Sequence, residues 1–327
     1  MATHKQLKYE DICLIPNYSE CKSRSECSTF TYLGGQQFKL PVIPANMKSV
    51  ISPKLAKWMS ENRYFYIMHR FDIDMTAFLT QSNEEDWQTI SISVGVNEKD
   101  KDLLVKAAAL KLRIDYITID IAHGHSLNMK RMIKHTKRCF PNTYLIAGNV
   151  ATPQAVKDLA NWGADAVKVG IGQGSPCTTK DKTGFTMPMF SCVQNCSNLY
   201  SGEFGSEGEE IQIIADGGIK CNGDISKALS AGASMAMAGG MFAACTDSPA
   251  ATTTINNIPH KAYFGSASAE NKGHSNHIEG KLTNICTNNV SYKEKLKEIK
   301  QDLQSAISYA GGNNLDSLRG VNYEVVN

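Results

Sequence analysis

The chain has 327 residues, of which 34 are basic and 32 acidic, and 42% of the sequence is apolar. This composition is typical of a soluble globular protein, and the nearly balanced charge gives no long-range field that would favour nucleic acid or a membrane surface. No apolar run approaches the ~20 residues of a membrane-spanning helix, and no signal-peptide pattern opens the chain. We therefore expect a cytoplasmic protein whose 10 cysteines are reduced.

Short apolar runs recur along the chain, and most are followed by a segment with helical periodicity. The runs are 41–46, 65–70, 91–96, 116–121, 144–149, 166–171, 211–218 and 235–240, and the clearest helical segments are 52–62, 97–112, 152–163 and 292–310. Strands that alternate with helices pair in parallel, and eight such units close a (β/α)8 TIM barrel of the α/β class. An open doubly wound sheet is the alternative, but its G-x-G-x-x-G motif is missing after the first strand.

Two intervals between the predicted elements are unusually long. Residues 172–200 form an enlarged loop after predicted strand six, and residues 241–290 follow predicted strand eight. Because a TIM barrel carries its chemistry on the loops after its strands, we interpret 172–200 as a catalytic loop and 241–290 as a mobile flap. The prediction is one catalytic domain over residues 1–327.

The loop after predicted strand six contains one cysteine among small and polar residues. In the sequence KVGIGQGSPCTTKDKTG (168–184), Cys177 is surrounded by glycines, a serine and threonines. These neighbours offer no apolar packing for a structural cysteine, whereas their donors could stabilise a thiolate. Cys177 is therefore a candidate nucleophile, and a buried structural cysteine is the alternative.

Other polar residues and glycines also follow the predicted strands. Paired glycines end strand seven (Gly217 and Gly218) and strand eight (Gly239 and Gly240), where barrels commonly bind phosphate, although tight turns are an alternative explanation. A carboxylate would repel phosphate, so Asp216 more reasonably accepts hydrogen bonds from the ribose diol of a nucleotide, and a solvated aspartate in a turn is the alternative. Further strand-end residues, each of which could instead be a satisfied core group, are His69, Arg70, Asp120, His123 and Asn149.

These segments also carry a family resemblance. The sequence GIGQGSPCTTKDKTG (170–184) resembles the G-x-G-x-x-C-x-T signature of the IMP dehydrogenase and GMP reductase superfamily. The agreement covers nearly the whole chain and includes 9–16, 22–27, 40–47, 119–125, 146–153, 213–219 and 263–268. It is greatest to the GMP reductases of Gram-positive bacteria. Too few residues separate predicted strands two and three for the CBS modules of most IMP dehydrogenases.

The flap supports the reductase side of this resemblance. IMP dehydrogenases carry an Arg-Tyr pair there, whereas residues 241–290 contain no arginine. The sequence HIEGK (277–281) instead resembles the element in which GMP reductases keep a catalytic glutamate, which places that role on Glu279. Ala244-Cys245 and Asn276 depart from the usual flap residues, as Gln173 and Pro176 do in the cysteine loop.

The resemblance implies NADPH-dependent reductive deamination of GMP to IMP and ammonia in purine salvage, by a homotetramer that binds a monovalent cation such as potassium. Cys177 would form a covalent thioimidate with the purine, and Thr179 with Glu279 would relay a proton. The implied nucleotide contacts are Met47, Ser175, Asp216, Gly217, Gly218, Gly239, Gly240, Gly265, Ser266, Ala267 and Gly280. The implied cofactor contacts are His69, Arg70, Asp120, Ile121 and Ala122, with Ser23 and Arg24 reaching the cofactor of a neighbouring subunit. The implied cation ligands are Gly172, Gly174 and the carbonyl of Cys177.

Three other functions are compatible with these residues. One is an IMP dehydrogenase that lacks CBS modules, and another is a non-catalytic barrel that binds purine nucleotides. The third, an aldolase or flavin barrel, would need a Schiff-base lysine or flavin contacts at the strand ends. Lys168 is the only lysine within a predicted strand.

Overall fold

A computed structural model of the chain describes residues 5–198, 211–272 and 276–326. The predicted catalytic loop therefore extends two residues beyond the described part, at 199 and 200, and residues 273–275 of the predicted flap also lie outside it. No helix in these three ranges combines the length and apolar character that a bilayer span requires.

The elements alternate as the sequence predicts through most of the chain. The strands are β1 Ile12–Leu14, β2 Thr31–Leu33, β3 Gln36–Phe38, β4 Val42–Pro44, β5 Ser91–Val94, β6 Tyr116–Asp120, β7 Tyr144–Val150, β8 Ala166–Val169, β9 Gln212–Asp216, β10 Met235–Ala238, β11 Thr252–Ile255, β12 Ile258–Phe264, β13 Leu282–Cys286 and β14 Tyr323–Val325. The α-helices are α1 Pro53–Glu61, α2 Met75–Glu84, α3 Glu98–Ala109, α4 Leu127–Cys139, α5 Pro153–Trp162, α6 Thr179–Thr183, α7 Met189–Ser197, α8 Asn222–Ser230, α9 Gly240–Ala243, α10 Ala269–Lys272 and α11 Tyr292–Tyr309.

Seven of the eight predicted barrel strands form one curled parallel sheet in the order β4-β10-β9-β8-β7-β6-β5. The remaining run, 65–70, contributes a single parallel bridge between Met68 and Ile92 at the β5 edge. There the N–H of Met68 donates to the carbonyl of Ser91 at 3.1 Å, and the N–H of Ser93 donates to the carbonyl of Met68 at 2.9 Å. The TIM-barrel prediction is confirmed, with its second strand reduced to one bridge.

The interior of the barrel is filled at the amino ends of the strands. The hairpin of β2 and β3 inserts Leu33 and Phe38, which are fully buried, into a cluster with Phe65 and Tyr116. The ring centroids of Phe38 and Phe65 are 5.1 Å apart, and those of Phe65 and Tyr116 are 4.9 Å apart, both in edge-to-face geometry. Packed side chains therefore fill the barrel interior at this end.

The outer helices begin where the sequence places capping residues. Ser52 and Thr152 accept hydrogen bonds from the N–H groups of Leu55 and Ala155, and a proline occupies the first turn of both α1 and α5. Ser291 and Glu294 form a capping box at the start of α11. These local signals explain why the three helices begin where the sequence predicts.

The two long intervals have structure of their own. The loop after β8 contains α6 and α7, and the segment after β10 contains a three-stranded antiparallel sheet of β11, β12 and β13 with α10 between the last two strands. Strand β1 pairs antiparallel with β14, which ties the two ends of the described chain together.

Gly170 fixes the end of β8 against β9. A Cβ at this position would lie 2.0 Å from the carbonyl oxygen of Asp216, and Gly170 has a φ of +136°. We expect Gly170→Ala to lower the free energy of unfolding by about 3 kcal/mol or more in urea titrations, because strain and clash add. Gly184→Ala is the control, since its φ is +78° but nothing lies within 4 Å of the added atom. Its cost should be about 1–2 kcal/mol, and equal losses would contradict the clash.

Candidate active site

A cavity of about 970 Å³ opens at the carboxyl ends of the barrel strands. Its lining includes the three predicted catalytic residues Cys177, Thr179 and Glu279. It also includes all predicted nucleotide contacts except Gly280 and four of the predicted cofactor contacts, namely Arg70, Asp120, Ile121 and Ala122. The structure thus brings together residues spread over more than two hundred positions of the sequence.

The three predicted catalytic side chains form a continuous hydrogen-bonded line. The Cys177 thiol donates to Thr179 Oγ1 at 3.2 Å, and the Thr179 hydroxyl donates to Glu279 Oε2 at 2.6 Å. A hydroxyl that accepts from one group and donates to the next can pass a proton between them. The thiol therefore has a carboxylate proton acceptor within two hydrogen bonds.

Backbone contacts hold the flap against the cysteine loop. The N–H of Thr178 donates to the carbonyl of Glu279 at 2.8 Å, and the N–H of Lys281 donates to the carbonyl of Pro176 at 2.9 Å. These bonds flank a bridge between Cys177 and Gly280. Gly280 lies behind this ladder, where a Cβ would come 2.9 Å from the backbone nitrogen of Ser268. Gly280 lies outside the cavity lining, and its predicted contact with the nucleotide stays a prediction.

Glycines at the ends of β9 and β10 expose their backbone to the cavity. Gly217 and Gly218 have φ values of +114° and +76°, which suit glycine and hold the turn after Asp216. A Cβ on Gly239 would lie 2.1 Å from the hydroxyl oxygen of Tyr263. Tyr263 lines the cavity but was not among the predicted site residues, and burial, with the charge of Asp216 second, raises its pKa.

The side of the cavity formed by β5 and β6 carries a cation and an aromatic ring. Arg70 Nη2 donates to the carbonyl of Asp120 at 3.0 Å, and its guanidinium carbon lies 4.8 Å from the ring centroid of Phe71. Arg70 Nε is buried and finds no protein partner in the described part of the chain. Phe71 and Asn97 also line this side, although the sequence did not single them out. An unpaired donor beside an aromatic face suits a cofactor with polar and planar groups, as NADPH has.

The predicted cation ligands lie on a tight turn before the nucleophile. Gly172 has a φ of +72°, and the N–H of Cys177 donates to the carbonyl of Gly174 at 3.0 Å. Within the described residues, the carbonyl oxygens of Gly172 and Cys177 accept no hydrogen bond. Free carbonyl oxygens on one turn are suitable ligands for a hard cation, so the loop fits the predicted potassium ion.

Ser23 and Arg24 lie outside the cavity lining of their own chain. Arg24 donates to the hydroxyl of Tyr309 at 3.2 Å and lies 5.0 Å from the centroid of the Tyr309 ring, on the exposed face of α11. Ser23 Oγ lies 2.7 Å from Ser25 Oγ. Their predicted contact with the cofactor of a neighbouring subunit stays a prediction.

The two flap departures occupy different environments. Cys245 is buried beside Asn288, and burial raises the pKa of its thiol to about 11, so it is a packing residue. Asn276 lines the cavity.

His69 does not line the cavity and is only 6% exposed, with its ring stacked on Phe71. Burial, with the charge of Lys48 second, lowers its pKa to about 4 from 6.5. Between pH 6.5 and 4 the unfolded chain binds a proton that the folded chain excludes. The stability due to neutral His69 is therefore complete above pH 6.5 and decreases as the pH falls through this range.

We expect the titration of His69 alone to lower the free energy of unfolding by about 2 kcal/mol when the pH falls from 7 to 5. His69→Asn should remove that part of the dependence, as measured by urea titrations at both pH values. The carboxylates contribute equally in both proteins. A variant with the same pH slope as the parent would contradict the assignment.

Fold and cavity together define a (β/α)8 barrel with a polar site at the carboxyl ends of its strands. Residues 6–326 match the model of the IMP dehydrogenase / GMP reductase domain. The chain therefore belongs to the IMP dehydrogenase / GMP reductase family. It is 48% identical over 322 residues to proteins named GMP reductase from Staphylococcus aureus strains JH9 and Newman, an alignment that covers 98% of this chain and 97% of each relative.

Proposed function

We propose that this protein is a GMP reductase, which converts GMP, NADPH and a proton to IMP, ammonia and NADP⁺ in purine nucleotide salvage. The observation that carries the proposal is the hydrogen-bonded line from Cys177 through Thr179 to Glu279 at the mouth of the barrel. The names of the Staphylococcus aureus relatives supply the substrate. The homotetramer, the cytoplasmic location and the potassium ion belong to the same proposal.

In the first step, a proton moves along the hydrogen bonds from Cys177 through Thr179 to Glu279. The thiol proton passes to Thr179 as the hydroxyl proton of Thr179 passes to Glu279, which leaves a thiolate and a protonated carboxyl. The Cys177 sulfur then bonds to C2 of the guanine as the π bond between C2 and N3 breaks with its electron pair on N3. Only the thiolate is an effective nucleophile, so this transfer precedes the attack.

The same residues then serve the departure of nitrogen. The amino group on C2 is a very poor leaving group until it gains a proton, and Glu279 returns the stored proton through Thr179. The C2–N bond breaks with its electron pair on nitrogen, ammonia leaves, and a thioimidate joins the purine to Cys177. Acid–base assistance of this kind typically contributes about 10²–10⁴-fold in rate.

NADPH, when bound, supplies the hydride for C2. Arg70, Asp120, Ile121 and Ala122 are the residues that would hold it, and they line the side of the cavity formed by β5 and β6. After C2 is reduced, the electron pair on N3 restores the double bond to C2 as the C2–S bond breaks with its electron pair on sulfur. IMP is then released, and the Cys177 thiolate takes up a proton from solvent. Glycines at the ends of β9 and β10 would hold the phosphate.

The deciding experiment follows the absorbance of reduced cofactor with two substrate pairs. We expect NADPH consumption with GMP and ammonia release in equal amount, and no NADH formation from IMP and NAD⁺. NADH formation from IMP, without NADPH consumption from GMP, would identify an IMP dehydrogenase that lacks CBS modules. Nucleotide binding without turnover in either direction would identify a non-catalytic barrel.

A further inference from the structure

Lys168 is a buried cation at the centre of the barrel mouth that the reaction above does not use. Its side chain is 2% exposed and extends from β8, which lies beside β9 and two strands from β6. Its Nζ lies 2.8 Å from Oδ2 of Asp216 at the end of β9 and 3.0 Å from Oδ1 of Asp120 at the end of β6. One ammonium thus joins a predicted nucleotide contact to a predicted cofactor contact.

This pairing excludes the role of a Schiff-base amine. Burial alone would lower the pKa of Lys168, but the charges of Asp120 and Asp216 outweigh it and raise the pKa well above the usual value. At Asp120, burial is the largest single influence and raises the pKa, but Lys168, Arg70 and Asn46 together outweigh it and lower the pKa of that carboxyl. An amine that remains protonated has no lone pair for attack on a carbonyl.

The hydrogen bonds around the two carboxylates are unevenly distributed. Both oxygens of Asp120 are occupied, Oδ1 by Lys168 and Oδ2 by the side-chain amide of Asn46 at 2.8 Å. For Asp216, both Lys168 and the amide of Asn149, also at 2.8 Å, donate to Oδ2. No donor to Oδ1 of Asp216 occurs in the described part of the chain. Asp216 therefore keeps one carboxylate oxygen available at a residue that lines the cavity.

We propose that Lys168 is a positioning residue, which holds Oδ2 of Asp216 so that Oδ1 is presented to the ribose hydroxyls of the bound nucleotide. The proposal rests on the proposed function, since it requires a ribonucleotide in this cavity. Lys168 fixes the orientation of the Asp216 carboxylate by its hydrogen bond to Oδ2. Its positive charge also offsets the repulsion between the carboxylates of Asp216 and Asp120. Without the ammonium, two neighbouring carboxylates would face each other with no cation between them, and Asp216 would turn away or take up a proton.

The test compares equilibrium binding of GMP and of 2′,3′-dideoxyguanosine monophosphate in the absence of cofactor. The parent protein should prefer GMP by about 10- to 100-fold, the usual value of a hydrogen bond to a charged group. Lys168→Met should reduce the preference to less than about threefold, as Asp216→Asn should. Lys168→Arg, which keeps the charge, should recover most of it. A purely structural role would weaken both ligands alike and leave their ratio unchanged.

The outcomes separate this inference from the function on which it rests. If the parent protein binds neither nucleotide, the proposed function fails. If the parent discriminates and Lys168→Met discriminates equally well, the positioning role alone is wrong. Should Lys168→Met fail to fold, the double variant with Asp120→Asn and Lys168→Met replaces it. The double variant removes one negative charge together with the positive charge of Lys168. Asp120→Asn should then keep the preference for GMP, and the double variant should lose it. Equal preference in these two variants would overturn the proposal.

Discussion

Cys177→Ala should abolish GMP-dependent consumption of NADPH, with a decrease in kcat of at least about 10⁴-fold. The sulfur is the atom that bonds to C2, and alanine offers no group that could replace it. GMP should still bind, because the glycines and Asp216 around the cavity remain. The measurement is the initial rate from NADPH absorbance, combined with a binding titration of GMP.

A second cysteine variant serves as the control. It shows whether the loss of activity is specific to the Cys177 sulfur or follows from the removal of any thiol. Cys13 is exposed and lies on β1, so it is outside the cavity lining. Cys13→Ala should retain the parent rate. Mass spectrometry of the parent protein with GMP should also find a purine adduct on the peptide that contains Cys177. Cys177→Ala activity above about 1% of the parent would contradict covalent catalysis by this residue.

The barrel could be predicted from the sequence because its strands are short apolar runs at regular spacing. Seven of those runs became strands, and residues 65–69 of the remaining run are buried even though it forms only one bridge. The hairpin of β2 and β3 carries too few apolar residues to stand out, although Leu33 and Phe38 close the barrel. Strand β11 of the flap was also missed, because all of its residues are exposed and leave no apolar pattern.

Some site residues could be predicted from their neighbours in the sequence, whereas others depend on contacts with distant residues. Cys177 could be predicted from its own neighbours, since glycines and threonines around a cysteine at a strand end are a local pattern. Glu279 could not be predicted in this way, because glutamate is common at protein surfaces. Nothing in its neighbouring sequence indicates the hydrogen bond with Thr179, which lies 100 residues earlier. Glu279 was found only through the family resemblance. Lys168 stood out as the only lysine within a predicted strand, but its two carboxylate partners depend on how β6, β8 and β9 are arranged.

Glu279→Gln should lower kcat by about 10²–10⁴-fold while the affinity for GMP changes by less than about threefold. The glutamine amide has nearly the shape of the carboxyl, and its oxygen can still accept from Thr179 at the position of Oε2. It is unable to store the proton that the thiol releases and that the leaving nitrogen requires. Glu270→Gln is the matched control, because Glu270 is an exposed glutamate of the same flap and lies outside the cavity lining.

The rate-limiting step of Glu279→Gln tests whether Thr179 and Glu279 transfer the proton for deamination. Since ammonia departs before C2 is reduced, loss of proton storage should make deamination limit the whole reaction in Glu279→Gln. NADPH deuterated at the transferred hydrogen should then react as fast as ordinary NADPH in this variant. A large isotope effect in Glu279→Gln would place its defect in hydride transfer. Thr179→Ser, which keeps the hydroxyl, should remain active, whereas Thr179→Val should resemble Glu279→Gln, because both interrupt the same line of hydrogen bonds between sulfur and carboxylate.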